Sequence, residues 1–89
     1  MVIFKSFFPN NSETILIVNP KEVSCLELIK KNAKQMEFIA VYITMKNGTI
    51  HSACYGFDDE ESRNRCFAEL MGAKTLKDIV KILNATQRL

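Results

Sequence analysis

Three glycines and two prolines in 89 residues leave this chain little of the breaker content that marks loops and low-complexity segments. With 47% hydrophobic and 25% charged residues, the composition is that of a packed globule and excludes a disordered chain. No segment approaches the roughly 18 consecutive apolar residues of a membrane span. The N-terminal MVIFKSFFPN is apolar, but Lys5 interrupts it, and it lacks the long apolar segment and small-residue cleavage site of a secretory signal. The cysteines are Cys25, Cys54 and Cys66, an odd number with no C-x-x-C spacing. A secreted domain of this size carries an even disulfide framework, so the expectation is free thiols in a reducing cytoplasm. A net charge of +2 is too small to imply nucleic acid by itself and excludes an acidic, solvating tail. The sequence also lacks a phosphate-binding G-x-x-x-x-G-K-[ST], a dinucleotide G-x-G-x-x-G, a zinc-protease H-E-x-x-H and a nucleophile-elbow G-x-S-x-G. No reaction is named by its motifs.

The length allows one domain, residues 1–89, with no room for a second core. A chain this small buries only about 60–65% of its unfolded surface, so partner contacts that add buried area matter to it.

Along the chain, Val2 to Phe8 reads as an edge strand ended by Pro9 and the turn-forming Asn10-Asn11-Ser12. The β-branched content of Thr14 to Val18 reads as a short buried strand, stopped by Asn19-Pro20. Val23 to Ile29 alternates as a further strand, and Lys30 to Gln35 reads as a basic loop. Asp58 is the expected N-cap of a first helix, with Asp59, Glu60 and Glu61 in its first turn, where acids suit the positive helix end. Its apolar stripe is Cys66, Phe67, Leu70 and Met71, and Gly72 is the expected stop. A second helix opens at Thr75, with Leu76, Ile79, Val80 and Leu83 as its inner face and Ile82 and Leu89 off that centre. Strands first and helices last predict an α+β fold. The expected architecture is an antiparallel meander of four to five strands, followed by two C-terminal helices packed on one face.

The central feature is Glu37 to Phe57, read as one long hairpin around Asn47-Gly48. A two-residue type I′ turn there sets Met45 opposite Ile50, Thr44 opposite His51 and Val41 opposite Cys54. Alternation then places Ile39, Val41, Ile43, Met45, Ile50, Ser52 and Cys54 on a core face. The other face carries Phe38, Ala40, Tyr42, Thr44, His51, Ala53, Tyr55 and Phe57, and something must cover its aromatics or bind to them. The strands before residue 30 can supply Phe4, Phe7, Phe8, Ile15, Ile17 and Leu26 to close over it. Alternatively, a ligand pocket or a second chain meets it. Those same residues must also build neighbouring strands, so the expectation is that part of this face meets a second copy or a partner.

Chemistry has few candidates. His51 is the only histidine, and Cys54, three residues on, points to the opposite face, so the pleat excludes a local Cys–His dyad. The cysteines and His51 are too dispersed for the paired ligands of a structural zinc site. Consecutive acids at Asp58 to Glu61 fan out around a helix, and capping accounts for them. No catalytic residue, metal or cofactor is therefore assigned. The basic residues support a second class of function. Lys30, Lys31 and Lys34 cluster before the hairpin, and Lys74, Lys77, Lys81 and Arg88 run along one side of the last helix. With the sheet aromatics they offer a stacking surface with a basic rim, as single-strand nucleic-acid binders use. An outer helix face solvated by lysines explains the same stripe more simply.

The sequence thus leads to a small non-catalytic protein-interaction module, self-associating as a homodimer through Phe38, Tyr42, His51, Tyr55 and Phe57. A bacterial or phage regulator or inhibitor fits its size and its missing chemistry. The alternative is a nucleic-acid-binding protein using Lys30, Lys31, Lys34, Lys74, Lys77 and Lys81. The third is a small enzyme or ligand binder around His51.

Overall fold

Runs of β-branched and aromatic residues occupy the first two thirds of the chain, and they form five strands before any α-helix appears. The computed structural model describes residues 1–7, 13–33 and 36–86, with Phe7 by its backbone alone. The expectations for Phe8, Pro9, the Asn10-Asn11-Ser12 turn, Lys34, Arg88 and Leu89 lie outside the described residues. The fold is α+β. Strands β1 (Val2–Phe7) and β2 (Glu13–Val18) form a two-stranded antiparallel sheet, and β3 (Val23–Ala33), β4 (Met36–Met45) and β5 (Ile50–Phe57) form a three-stranded antiparallel meander. Helices α1 (Glu60–Met71) and α2 (Leu76–Ala85) follow.

Asn19-Pro20 ends β2 as expected, with the Asn19 side chain capping a 3-10 turn over Pro20–Glu22. β3 runs longer than its sequence reading, because Lys30 and Lys31 continue the ladder, pairing with Ile39 and Phe38. The "basic loop" of residues 30–33 is therefore strand. β2 is not a buried strand: only Val18 is buried, while Ile15 and Ile17 stand 55% and 58% exposed. Its inner partners are Val2 and Phe4 of β1, which pair with Val18 and Leu16.

The β4–β5 turn is where the register departs from expectation. Lys46, Asn47 and Gly48 form a three-residue loop, in which the Gly48 N–H donates to the Met45 carbonyl and the Met45 N–H to that of Thr49. The Asn47 side chain accepts from the Thr49 N–H. Gly48 takes φ +90°, the left-handed residue that closes a type I turn with a bulge. One extra loop residue slips the pairing by one: Thr44 faces Ile50, Ile43 faces His51, Val41 faces Ala53 and Ile39 faces Tyr55. A one-residue slip exchanges the two faces of β5 relative to β4. Ile39, Val41 and Ile43 are core as expected, but their β5 companions are Ala53 and Tyr55. Ile50 and Ser52 are exposed and Cys54 is half-buried on the opposite side.

One core cluster draws on both sheets and both helices, with Phe4, Ile39, Val41, Ile43, Tyr55, Cys66, Leu70, Val80 and Leu83 at its centre. The N-cap of α1 is Asp59, one residue later than expected, accepting from the Ser62 N–H at 2.7 Å. That bond favours the charged carboxylate and holds the Asp59 pKa below its ordinary value. Gly72 ends α1, but at φ −91°, without using the left-handed region. Met71 is exposed, and Arg63 is the unexpected buried residue of α1. Its guanidinium pairs with the Glu37 carboxylate and donates to the Lys31 carbonyl at 3.0 Å, tying α1 to the end of the β3–β4 hairpin. The Thr75 cap of α2 accepts from the Asp78 N–H, as the sequence implies. Val80 and Leu83 are buried, with Leu76, Ile79 and Ile82 packed partly against the core.

Asn84 of α2 completes the frame. Its Nδ2 donates to the Ile3 carbonyl at 2.8 Å, and its Oδ1 accepts from the Lys5 N–H at 3.0 Å, standing in for a strand beside β1. The same oxygen accepts from the Tyr55 hydroxyl at 3.2 Å.

Candidate interaction surface

The slipped register defines what the three-stranded sheet shows on each side. Its inner face, toward the helices, carries Leu26, Leu28 and Lys30 of β3, the aliphatics of β4, and His51, Ala53, Tyr55 and Phe57 of β5. Its outer face carries Cys25, Glu27, Ile29 and Lys31, then Phe38, Ala40, Tyr42 and Thr44, then Ile50, Ser52 and Cys54. None of Ile29, Phe38, Tyr42 and Ile50 packs against the core cluster.

The five residues expected to form one aromatic face are therefore divided. Phe38 and Tyr42 lie on the outer face. Tyr55 is fully buried at the centre of the core, Phe57 packs against that core, and His51 sits half-buried opposite Ile43 on the inner face. The physical cause is the single extra loop residue at Lys46–Gly48.

The expected basic rim is divided in the same way. Lys31 lies on the outer face, its Nζ donating to the Tyr42 hydroxyl at 3.2 Å and sitting 5.6 Å from the ring centroid. Lys30 turns to the inner side, its Nζ 5.1 Å from the centroid of Phe67 on α1. Lys74, Lys77 and Lys81 are exposed on and before α2, which packs on the inner side against β1. The structure thus does not bring the α2 lysines around Phe38 and Tyr42.

Nor do the thiols gather. Cys25 is exposed and Cys54 half-buried on the outer face, and Cys66 is buried in the core. Burial raises the pKa of Cys54, partly offset by Lys31. Burial, aided by Glu69, pushes the Cys66 thiol up to about 11. Both shifts favour the neutral thiol, the reverse of an activated nucleophile. Among the described residues, no three His, Cys, Asp or Glu side chains converge in a way that holds a metal ion. Glu60, Glu61, Asn64 and Arg65 line a shallow open hollow on the first turns of α1, where Glu61 pairs with Arg65 in the ordinary i,i+4 manner. Among the described residues, no helix is long and apolar enough to cross a membrane.

Among the described residues, β3 and β5 each pair only with β4, and β1 and β2 only with each other. α2 lies against β1 and β1 against β5, which leaves β3 and β2 as the uncovered borders. Ile3, Ile15 and Ile17 form a second exposed apolar patch, on the β1–β2 sheet. Sequence reasoning missed Ile29 as a surface residue, together with Arg63 and Asn84. Asn84 carries a signal, because it falls four residues after Val80 on the inner stripe of α2, where a polar side chain needs a buried partner. Arg63 carries none. The chain matches no protein-family model, no curated protein and no solved structure.

Proposed function

We propose that this protein is a small non-catalytic interaction module that self-associates, with the three-stranded sheet as its contact surface. The observation that carries this reading is the sheet's outer side, where Ile29, Phe38, Tyr42 and Ile50 stand outside the core cluster. Beside it runs β3, with only one paired border. Contiguous apolar side chains next to an unpaired strand are what a protein partner covers. The raised thiol pKa values of Cys54 and Cys66 agree with a non-catalytic role. A homodimer is the simplest partner, since a self-complementary patch closes on itself without leaving a sticky surface.

Sedimentation equilibrium over a concentration series tests this. The expected result is a reversible monomer–dimer equilibrium that weakens far less between about 50 and 200 mM salt than phosphate binding does, because apolar and backbone contacts release few counterions. A mass that stays monomeric throughout overturns the proposal. A mass that shifts only when single-stranded nucleic acid is added, and steeply with salt, replaces it with the nucleic-acid reading.

A further inference from the structure

The free border of β3 carries a self-complementary charge pattern. A bulge at its start, between Val23 and Cys25, breaks the ladder, and from Cys25 to Ala33 the pairing with β4 is regular. The midpoint of that regular stretch is Ile29. An antiparallel strand related by a two-fold axis through Ile29 overlaps it completely. In that register Ile29 meets its own symmetry mate, Glu27 meets Lys31 of the second copy, and Lys31 meets the second Glu27. All of these lie on the outer face, as the pleat requires. Opposite charges directly across an antiparallel pair stabilise it. Neither Glu27 nor Lys31 has an ion-pair partner among the described residues, although Glu37, Arg63, Glu61 and Arg65 all do. The axis that maximises strand overlap is therefore also the axis that sets Glu27 opposite Lys31, whose ammonium leaves the Tyr42 hydroxyl to reach the carboxylate across the seam.

The lysines on this strand do not guard its border. Edge lysines ordinarily block pairing by projecting past the strand. Here Lys31 is drawn back over Tyr42, and Lys30 over Phe67 on the other side. Among the described elements, only β4 makes extensive contact with β3. The competing open border, β2, is short, and its sole charged residue is Glu13, so no charge pair fixes a register there.

We infer that two copies join edge to edge along β3, antiparallel and two-fold symmetric about Ile29, with Glu27 and Lys31 paired reciprocally. Two three-stranded sheets become one sheet of six strands, and no β3 border is left open. About eight to ten new backbone hydrogen bonds form across the seam. The outer faces lie side by side across the seam, where each Ile29 is covered by its symmetry mate, and the pairing itself leaves Phe38 and Tyr42 uncovered. This rests on the proposed self-association and specifies its geometry.

The test is a charge exchange read by sedimentation equilibrium. Glu27→Lys alone and Lys31→Glu alone each turn two attractive pairs into repulsive ones, and each is expected to weaken the dimer roughly 3- to 30-fold. The double variant restores the pairing and returns the dissociation constant toward that of the unchanged protein. Thermal melting at low concentration verifies that each variant folds. Independently, Ile29→Cys, combined with Cys25→Ser and Cys54→Ser, is expected to form a disulfide-linked dimer on mild oxidation. Opposed residues of antiparallel strands lie about 4.5–5.5 Å apart at Cα, within disulfide range. Absence of rescue, together with failure to cross-link in a sample that is dimeric by mass, overturns the β3 geometry while leaving self-association standing. A monomeric mass for the unchanged protein overturns both.

Discussion

Tyr42 and Tyr55 test the register, because a two-residue turn puts both rings on one face and the slipped pairing separates them. In the structure Tyr55 is 0% exposed, packed in the cluster that includes Phe4, Ile39 and Leu83, with its hydroxyl on Asn84. Truncating a buried aromatic to alanine costs about 3–5 kcal/mol, part of it from the cavity left behind. For a chain of this length the whole stability is of the order of 4–13 kcal/mol. Tyr55→Ala therefore removes a large share of it, and Tyr55→Phe, which loses only one hydrogen bond, costs about 1 kcal/mol. Tyr42 lies on the outer face outside the core cluster, held by Lys31. Tyr42→Ala forfeits that contact and some half-buried ring area, for about 1 kcal/mol. Urea denaturation followed by circular dichroism, at one fixed low protein concentration, gives all three values. Equal losses for Tyr42→Ala and Tyr55→Ala would place both rings on one face and refute the slipped pairing.

Three further outcomes follow from single contacts. Gly48→Val is expected to cost at least about 1 kcal/mol by the same assay; a Cβ at Gly48 meets nothing within 4 Å, so the loss comes from φ +90° and not from a Cβ clash. Asn84→Ala strips the bonds to β1 and to Tyr55, and a double-mutant cycle with Tyr55→Phe is expected to show about 0.5–1.5 kcal/mol of coupling; no coupling would separate the two groups. The raised Cys66 pKa makes stability alkaline-sensitive. The unfolded thiol ionises near its ordinary value and the folded one only near 11, so the contribution is complete below about pH 9 and is lost as pH rises toward 11. Cys66→Ala is expected to flatten that part of the melting-temperature profile, and iodoacetamide to modify exposed Cys25 well before Cys66.

Much of the fold is legible in the sequence because local signals agree with packing. Thr75 and its N–H acceptor geometry, the Val80 and Leu83 stripe, the Asn19-Pro20 stop and the order of strands before helices all follow from neighbouring residues. The inner face of β4 also follows, since Ile39, Val41 and Ile43 alternate cleanly. What misleads is Asn47-Gly48, which suits both a two-residue turn and a three-residue loop with a bulge. The arbiter is β5 itself. Ala53, Tyr55 and Phe57 share one side, and Ile50, Ser52, Cys54 and Gly56 the other, so matching the bulkier aromatic side to the β4 aliphatics selects the slipped pairing. The basic residues Lys30 and Lys31 disguise a strand as a loop, because their charges reach aromatic rings on opposite sides of the sheet. The candidate surface was legible only for Phe38 and Tyr42. Its other members follow from a register that a turn dipeptide alone does not determine.

Backbone amide exchange along β3, measured at low and at high protein concentration, tests the sheet as contact surface most directly. Strand pairing through the free border protects outward-pointing amides that a monomer leaves open to water. The account predicts that alternate amides between Cys25 and Ala33 slow as concentration rises, with those of β2 unchanged. Exchange along β3 that stays the same while the mass shifts to dimer would contradict it, as would concentration-dependent protection confined to Glu13–Val18.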